Sequence, residues 1–112
     1  MAVLNLQQIF GASATQDATT LTIHKADLAI VGSATPFIPA SANTADSILA
    51  AIIAFAETNA PDTAAQTDPT QTVGIGDGYK SIVTVSSVDY LLLPKTINFY
   101  SIFSGNFNPN NY

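Results

Sequence analysis

Thr44-Ala-Asp-Ser-Ile-Leu-Ala-Ala-Ile-Ile-Ala-Phe-Ala-Glu-Thr-Asn59 is the only stretch of this chain with a convincing helical period. Stepping about 100° per residue, Ile48, Leu49, Ile52, Ile53, Phe55 and Ala56 fall within an arc of about 160°, the face a helix turns towards a core. Burial of the five large side chains on that arc would contribute roughly 8–15 kcal/mol before ordering costs. Asn43 or Thr44 can accept hydrogen bonds from the first free N–H groups, and Asp46 places a negative charge in the first turn, where the helix dipole favours it. Asn59 and Pro61 mark the end. The opposite face, with Ser47, Ala50, Ala51 and Ala54, is small and nearly uncharged. It suits close approach by a second layer or another protomer, although alanine is also the best former of an ordinary solvated helix.

Around this helix the rest reads as strand or loop. Residues 3–10 predict a short helical turn, and residues 13–20 a polar loop, so that 1–18 forms an N-terminal arm and loop. Thr20, Leu21, Thr22, Ile23 and His24 alternate as a half-buried strand does, and 28–31 resumes the pattern after Lys25-Ala-Asp27. Pro36 and Pro39 hold the segment between them extended. Residues 60–72 contain nothing apolar larger than alanine, and Gly74, Gly76 and Gly78 suggest a tight turn, so 60–78 is expected to be an exposed loop. Residues 79–88 make the best strand, with apolar residues on both faces, as in a central strand or an edge covered by a partner. A final strand is expected over 96–103, followed by an irregular tail at 104–112. The strands after the helix are expected to form a meander. The fold class is therefore α+β: a single domain over 1–112, with one central buried helix packed on a small antiparallel sheet.

Composition narrows the function. The chain has three lysines and no arginine against seven aspartates and one glutamate, a net charge of −5. Phosphate neutralisation needs many more cations, so nucleic acid is not an expected partner, and anionic membrane surfaces are disfavoured. Charged residues make up only 10% of the chain, against roughly 25% in ordinary soluble domains, so solubility rests on hydroxyls and amides. Cysteine is absent, which removes disulfides, thiolate metal sites and thiol nucleophiles. The longest apolar run, 48–56, is far short of a bilayer span, and no secretory leader is evident. A soluble protein, cytoplasmic or within a particle, is the expectation.

No catalytic constellation stands out. His24 is the sole histidine, and its spacing to Asp27 puts the two on opposite sides of a strand. Gly74-Ile-Gly-Asp-Gly78 lacks the lysine-hydroxyl pair and following helix of a phosphate loop. Asp62, Asp68 and Asp77 could meet as hard oxygen ligands, but their spacing matches no coordination motif. No cofactor and no metal are expected. Aromatics cluster in the last third, and Phe107 and Tyr112 lie beyond the last regular element, as though needing something to dock on.

The leading expectation is a non-enzymatic structural or protein-interaction module, a homo-oligomeric subunit of a larger assembly such as a virion or phage-tail-like particle. Its interface candidates are Ala50, Ala54, Tyr100, Ile102, Phe107 and Tyr112. The alternative is a small-ligand binding domain with an aromatic-lined pocket in the C-terminal third.

Overall fold

The computed structural model describes residues 4–68, 70–101 and 106–112. In chain order the elements are α1 (Leu6–Phe10), β1 (Thr15–Gln16), β2 (Leu21–Thr22), a 3-10 turn (Lys25–Leu28), α2 (Ala45–Asn59), α3 (Asp62–Ala65), β3 (Val73–Asp77), β4 (Ser81–Val85), β5 (Val88–Leu92), β6 (Lys95–Phe99) and a closing 3-10 turn (Pro109–Asn111). The fold is α+β, with α2 packed against small antiparallel sheets.

Helix α2 begins where its sequence says it should. The Thr44 hydroxyl accepts from the Ser47 N–H at 3.1 Å, and Asn43 secures the incoming chain by accepting from the Ala40 N–H at 2.8 Å. At the far end, the Asn59 amide donates to the carbonyl of Gln8 at 2.8 Å, tying α2 to α1. Helix α1 is itself closed by a capping box between Asn5 and Gln8.

The helix is buried unevenly. Ala56 is buried on the predicted core arc, but Leu49 on the same arc is 59% exposed, while Ala51 on the alanine face is buried. The reason is Leu28. This side chain, 1% exposed, lies beside Ser47, Ala50, Ala51 and Ala54, so the layer that approaches the small face belongs to the same chain. The strand expected at 28–31 is correspondingly absent. Asp27 turns inward to accept the Ser13 N–H at 2.8 Å, the backbone coils into the 3-10 turn, and the expected strand at 20–24 shrinks to the Leu21–Thr22 pairing with β1.

The 60–78 segment, expected as an exposed loop, contains both α3 and β3, and Ala60, Ala65 and Gln71 within it are buried. The glycines serve contact here. A Cβ on Gly74 would stand 2.8 Å from the Asp62 Cα and 3.0 Å from the Ala65 Cβ, so only glycine lets α3 lie directly on the sheet. Gln71 supplies the polar cement, donating to the carbonyls of Pro61 at 3.1 Å and Val73 at 2.9 Å.

The expected meander is replaced by a nested ribbon. β3 pairs with β6, Val73 opposite Phe99 through Asp77 opposite Lys95, and β4 pairs with β5, Ser81 opposite Leu92 through Val85 opposite Val88. The β3–β6 pair lies between two helices, with Val73, Ile75, Ile97 and Phe99 on the side of α2 and Gly74 and Gly76 on the side of α3. The free edge of β3 is covered too, since the Ile75 N–H donates to the Ala60 carbonyl at 2.8 Å.

Candidate interaction surface

The β4–β5 pair continues the β3–β6 ladder outward and leaves the body. Gly78 N–H donates to the Pro94 carbonyl at 2.9 Å, and the next facing pair is Ser81 with Leu92. Tyr79 and Lys80 therefore stand against Leu93 alone, the two-against-one count of a β-bulge, which bends a ribbon and re-aims what lies beyond it. At the tip Ser86 and Ser87 have φ of 50° and 64°, the left-handed values that a tight two-residue hairpin turn requires.

Every residue of β4 and β5 is exposed. Cross-strand partners share a face, so Val83, Val85, Val88, Tyr90 and Leu92 lie together with Ser81 on one side, an apolar surface without a charge. The other side carries Ile82 and Leu91 near the base and, towards the tip, Thr84 donating its hydroxyl to Asp89 at 2.6 Å. This arm was partly legible: the 79–88 stretch was apolar on both faces, one reading of which is an edge awaiting a cover. Missed was its pairing with 88–92 alone.

The six interface candidates divide among different settings. Ala50 and Ala54 line a groove of about 490 Å³ with Leu28, Pro36, Phe37 and Ile38. Tyr100 directs its hydroxyl inward, donating to the Asp62 carboxylate at 2.6 Å. Ile102 lies outside the described residues. Phe107 and Tyr112 dock on Phe99 of their own chain, with ring centroids 5.1 and 5.3 Å from it. Phe107 and Tyr112 thus have ring partners in their own chain, at the C-terminal end of β6.

Asp62, Asp77 and Asp17 are each held by structural partners. Asp62 is held below its ordinary value of 3.8 by the Tyr100 hydroxyl and then the Asn98 amide, and Tyr100 is raised by the same hydrogen bond. Asp77 is lowered by its hydrogen bond to Lys95, whose ammonium also reaches Glu57 at 2.7 Å and is raised in turn. Asp17 falls to about 2 because the backbone N–H groups of Thr19 and Thr20 converge on it in the β1–β2 turn. Among the described residues, no three of His, Asp and Glu converge as a metal site, and no helix is long and apolar enough to cross a membrane.

An apolar pocket of about 580 Å³ opens between α1, α2 and the β3–β6 pair, with Ile9, Ile52, Ile53, Ile97, Phe99 and Tyr112 among its walls. Compared with known protein families, curated proteins and solved structures, the chain matches none.

Proposed function

We propose that this chain is a non-enzymatic structural subunit that associates with copies of itself, using the β4–β5 hairpin as its docking arm. The observation that carries the reading is surplus surface: 8115 Å² is accessible, against ~5,900 Å² for a compact monomer of 11.7 kDa. The radius of gyration, 16.0 Å, likewise exceeds the ~13 Å of a compact chain this long. Much of the surplus is apolar and sits on the arm, where Ile82 is 74% and Leu91 61% exposed. Water is a poor medium for such a surface, and large exposed apolar patches mark interaction sites. Asp62 and Asp77 are taken up by Tyr100 and Lys95 within the body, which supports a scaffold in preference to a catalyst.

Light scattering on a size-exclusion column tests this. The full chain is expected to elute as a defined oligomer, and a chain carrying Val83→Asp with Leu92→Asp as a monomer of unchanged circular dichroism. A wild-type monomer throughout the micromolar range would overturn the proposal.

The 580 Å³ pocket favours a second reading, a binding site for an apolar ligand, since its size lies within the usual range for small-molecule pockets. Saturable quenching of a fluorescent fatty acid, lost on Ile53→Trp, would support it.

A further inference from the structure

We infer that the occupant of the arm's open edge is β4 of a second copy, the two strands pairing antiparallel about a twofold axis to make one four-stranded sheet. This rests on the self-association proposed above and specifies its geometry.

The register identifies which backbone groups are free. A two-residue turn makes Val85 and Val88 exchange both hydrogen bonds, and the antiparallel ladder then alternates. Val83 and Tyr90 bond to each other, while Ile82 and Thr84 on one strand, and Asp89 and Leu91 on the other, point their N–H and C=O groups outward. Among the described residues, β4 and β5 pair only with each other. Two strands alone are marginal in water, whereas three or more with an apolar face can hold together.

The two edges differ in what guards them. β5 contains Asp89 and runs into Pro94 two residues past its end, both features that natural proteins use to discourage edge pairing. β4, Ser-Ile-Val-Thr-Val, has neither charge nor proline and is rich in β-branched residues. A second copy brings the same charge of −5, so the arrangement must keep like charges apart. Pairing through β4 places the two β5 strands on the outside, about 14 Å apart, beyond the physiological screening length of about 8 Å. Pairing through β5 would set both Asp89 carboxylates on adjacent strands. A strand edge is complementary to itself under a twofold, so no second recognition surface is needed. The apolar side chains along this edge, Ile82, Val83 and Val85, are 74%, 38% and 54% exposed, so pairing through β4 shelters apolar surface as well as backbone groups.

Ile82 and Leu91 are cross-strand partners, on the same face, each with its N–H outward, so Ile82→Pro and Leu91→Pro make a matched pair that differs only in the edge blocked. Measured by analytical ultracentrifugation on full-length chains, Ile82→Pro is expected to weaken the dimer by about tenfold or more, and Leu91→Pro to leave it in place. Because proline could melt the arm, a second pair keeps the backbone intact. The chain has no cysteine, so Val83→Cys should cross-link to a covalent dimer under mild oxidation, whereas Tyr90→Cys should not. Dissociation by Leu91→Pro alone, or cross-linking through position 90 in place of 83, overturns the β4 edge while leaving self-association standing. A wild-type monomer removes both.

Discussion

Two hairpin halves of equal strand length, β3–β6 and β4–β5, belong to one ribbon yet live in opposite environments. β3, Val-Gly-Ile-Gly-Asp, is a poor strand by propensity, but it lies under two helices with Ile75 only 5% exposed. β4, Ser-Ile-Val-Thr-Val, is an excellent strand and lies in the open. Glycine allows close approach and so gathers a core around itself, whereas a well-formed strand with no layer packed over it leaves its apolar side chains in water.

The contrast can be broken from the body side first. Gly74→Val should cost about 2–3 kcal/mol in urea unfolding, because the new side chain must push α3 off the sheet. Gln71→Ala should cost about 2 kcal/mol by the same measurement, since it removes two hydrogen bonds at a site only 1% exposed. Tyr100→Phe should have a smaller effect, and one that depends on pH. Asp62 is lowered in the folded chain, so its contribution is present above its ordinary 3.8 and is lost as pH falls through the lowered value. Tyr100 is raised, so its contribution is present below its ordinary 10.0 and is lost as pH rises through the raised value. The gap in urea midpoint between wild type and Tyr100→Phe should therefore be widest between these limits and close beyond them.

On the arm, Ser86→Asn with Ser87→Gly relieves two residues of left-handed backbone. Amide exchange in β4 and β5 should slow by the equivalent of about 1 kcal/mol, with protection in β3 unchanged. Tyr90→Lys should shift the global stability of the isolated monomer by less than about 0.5 kcal/mol, because its side chain is 54% exposed on the arm. If the arm and body unfold as one unit in these experiments, the comparison fails.

The helix was the most legible part. Its period, its Thr44 cap and its end near Asn59 follow from local chemistry that the sequence carries openly. Residues 60–78 were misjudged because turn propensity is what glycine and alanine show locally. Their role as the residues that let α3 touch β3 is a tertiary property with no local signal. The same holds for Leu28, read as a strand residue and found seated on the alanine face of α2. For the candidate surface, the pattern of 79–88, apolar on both faces, was read as a central strand or an edge covered by a partner, and did not reveal the exposed pairing with 88–92. Seen from sequence, Ser86-Ser87 gives little hint of a tight turn, since the usual Asn-Gly is missing.

The bulge at Tyr79 and Lys80 sits just past the rung where Lys95 grips both Asp77 and Glu57. That grip holds the end of the ribbon to α2, so bending between body and arm is confined to the few residues beyond it. If two copies join through their arms as proposed, this joint occurs once on each side of the twofold, so a small change of angle at the bulge swings one body relative to the other by twice that amount.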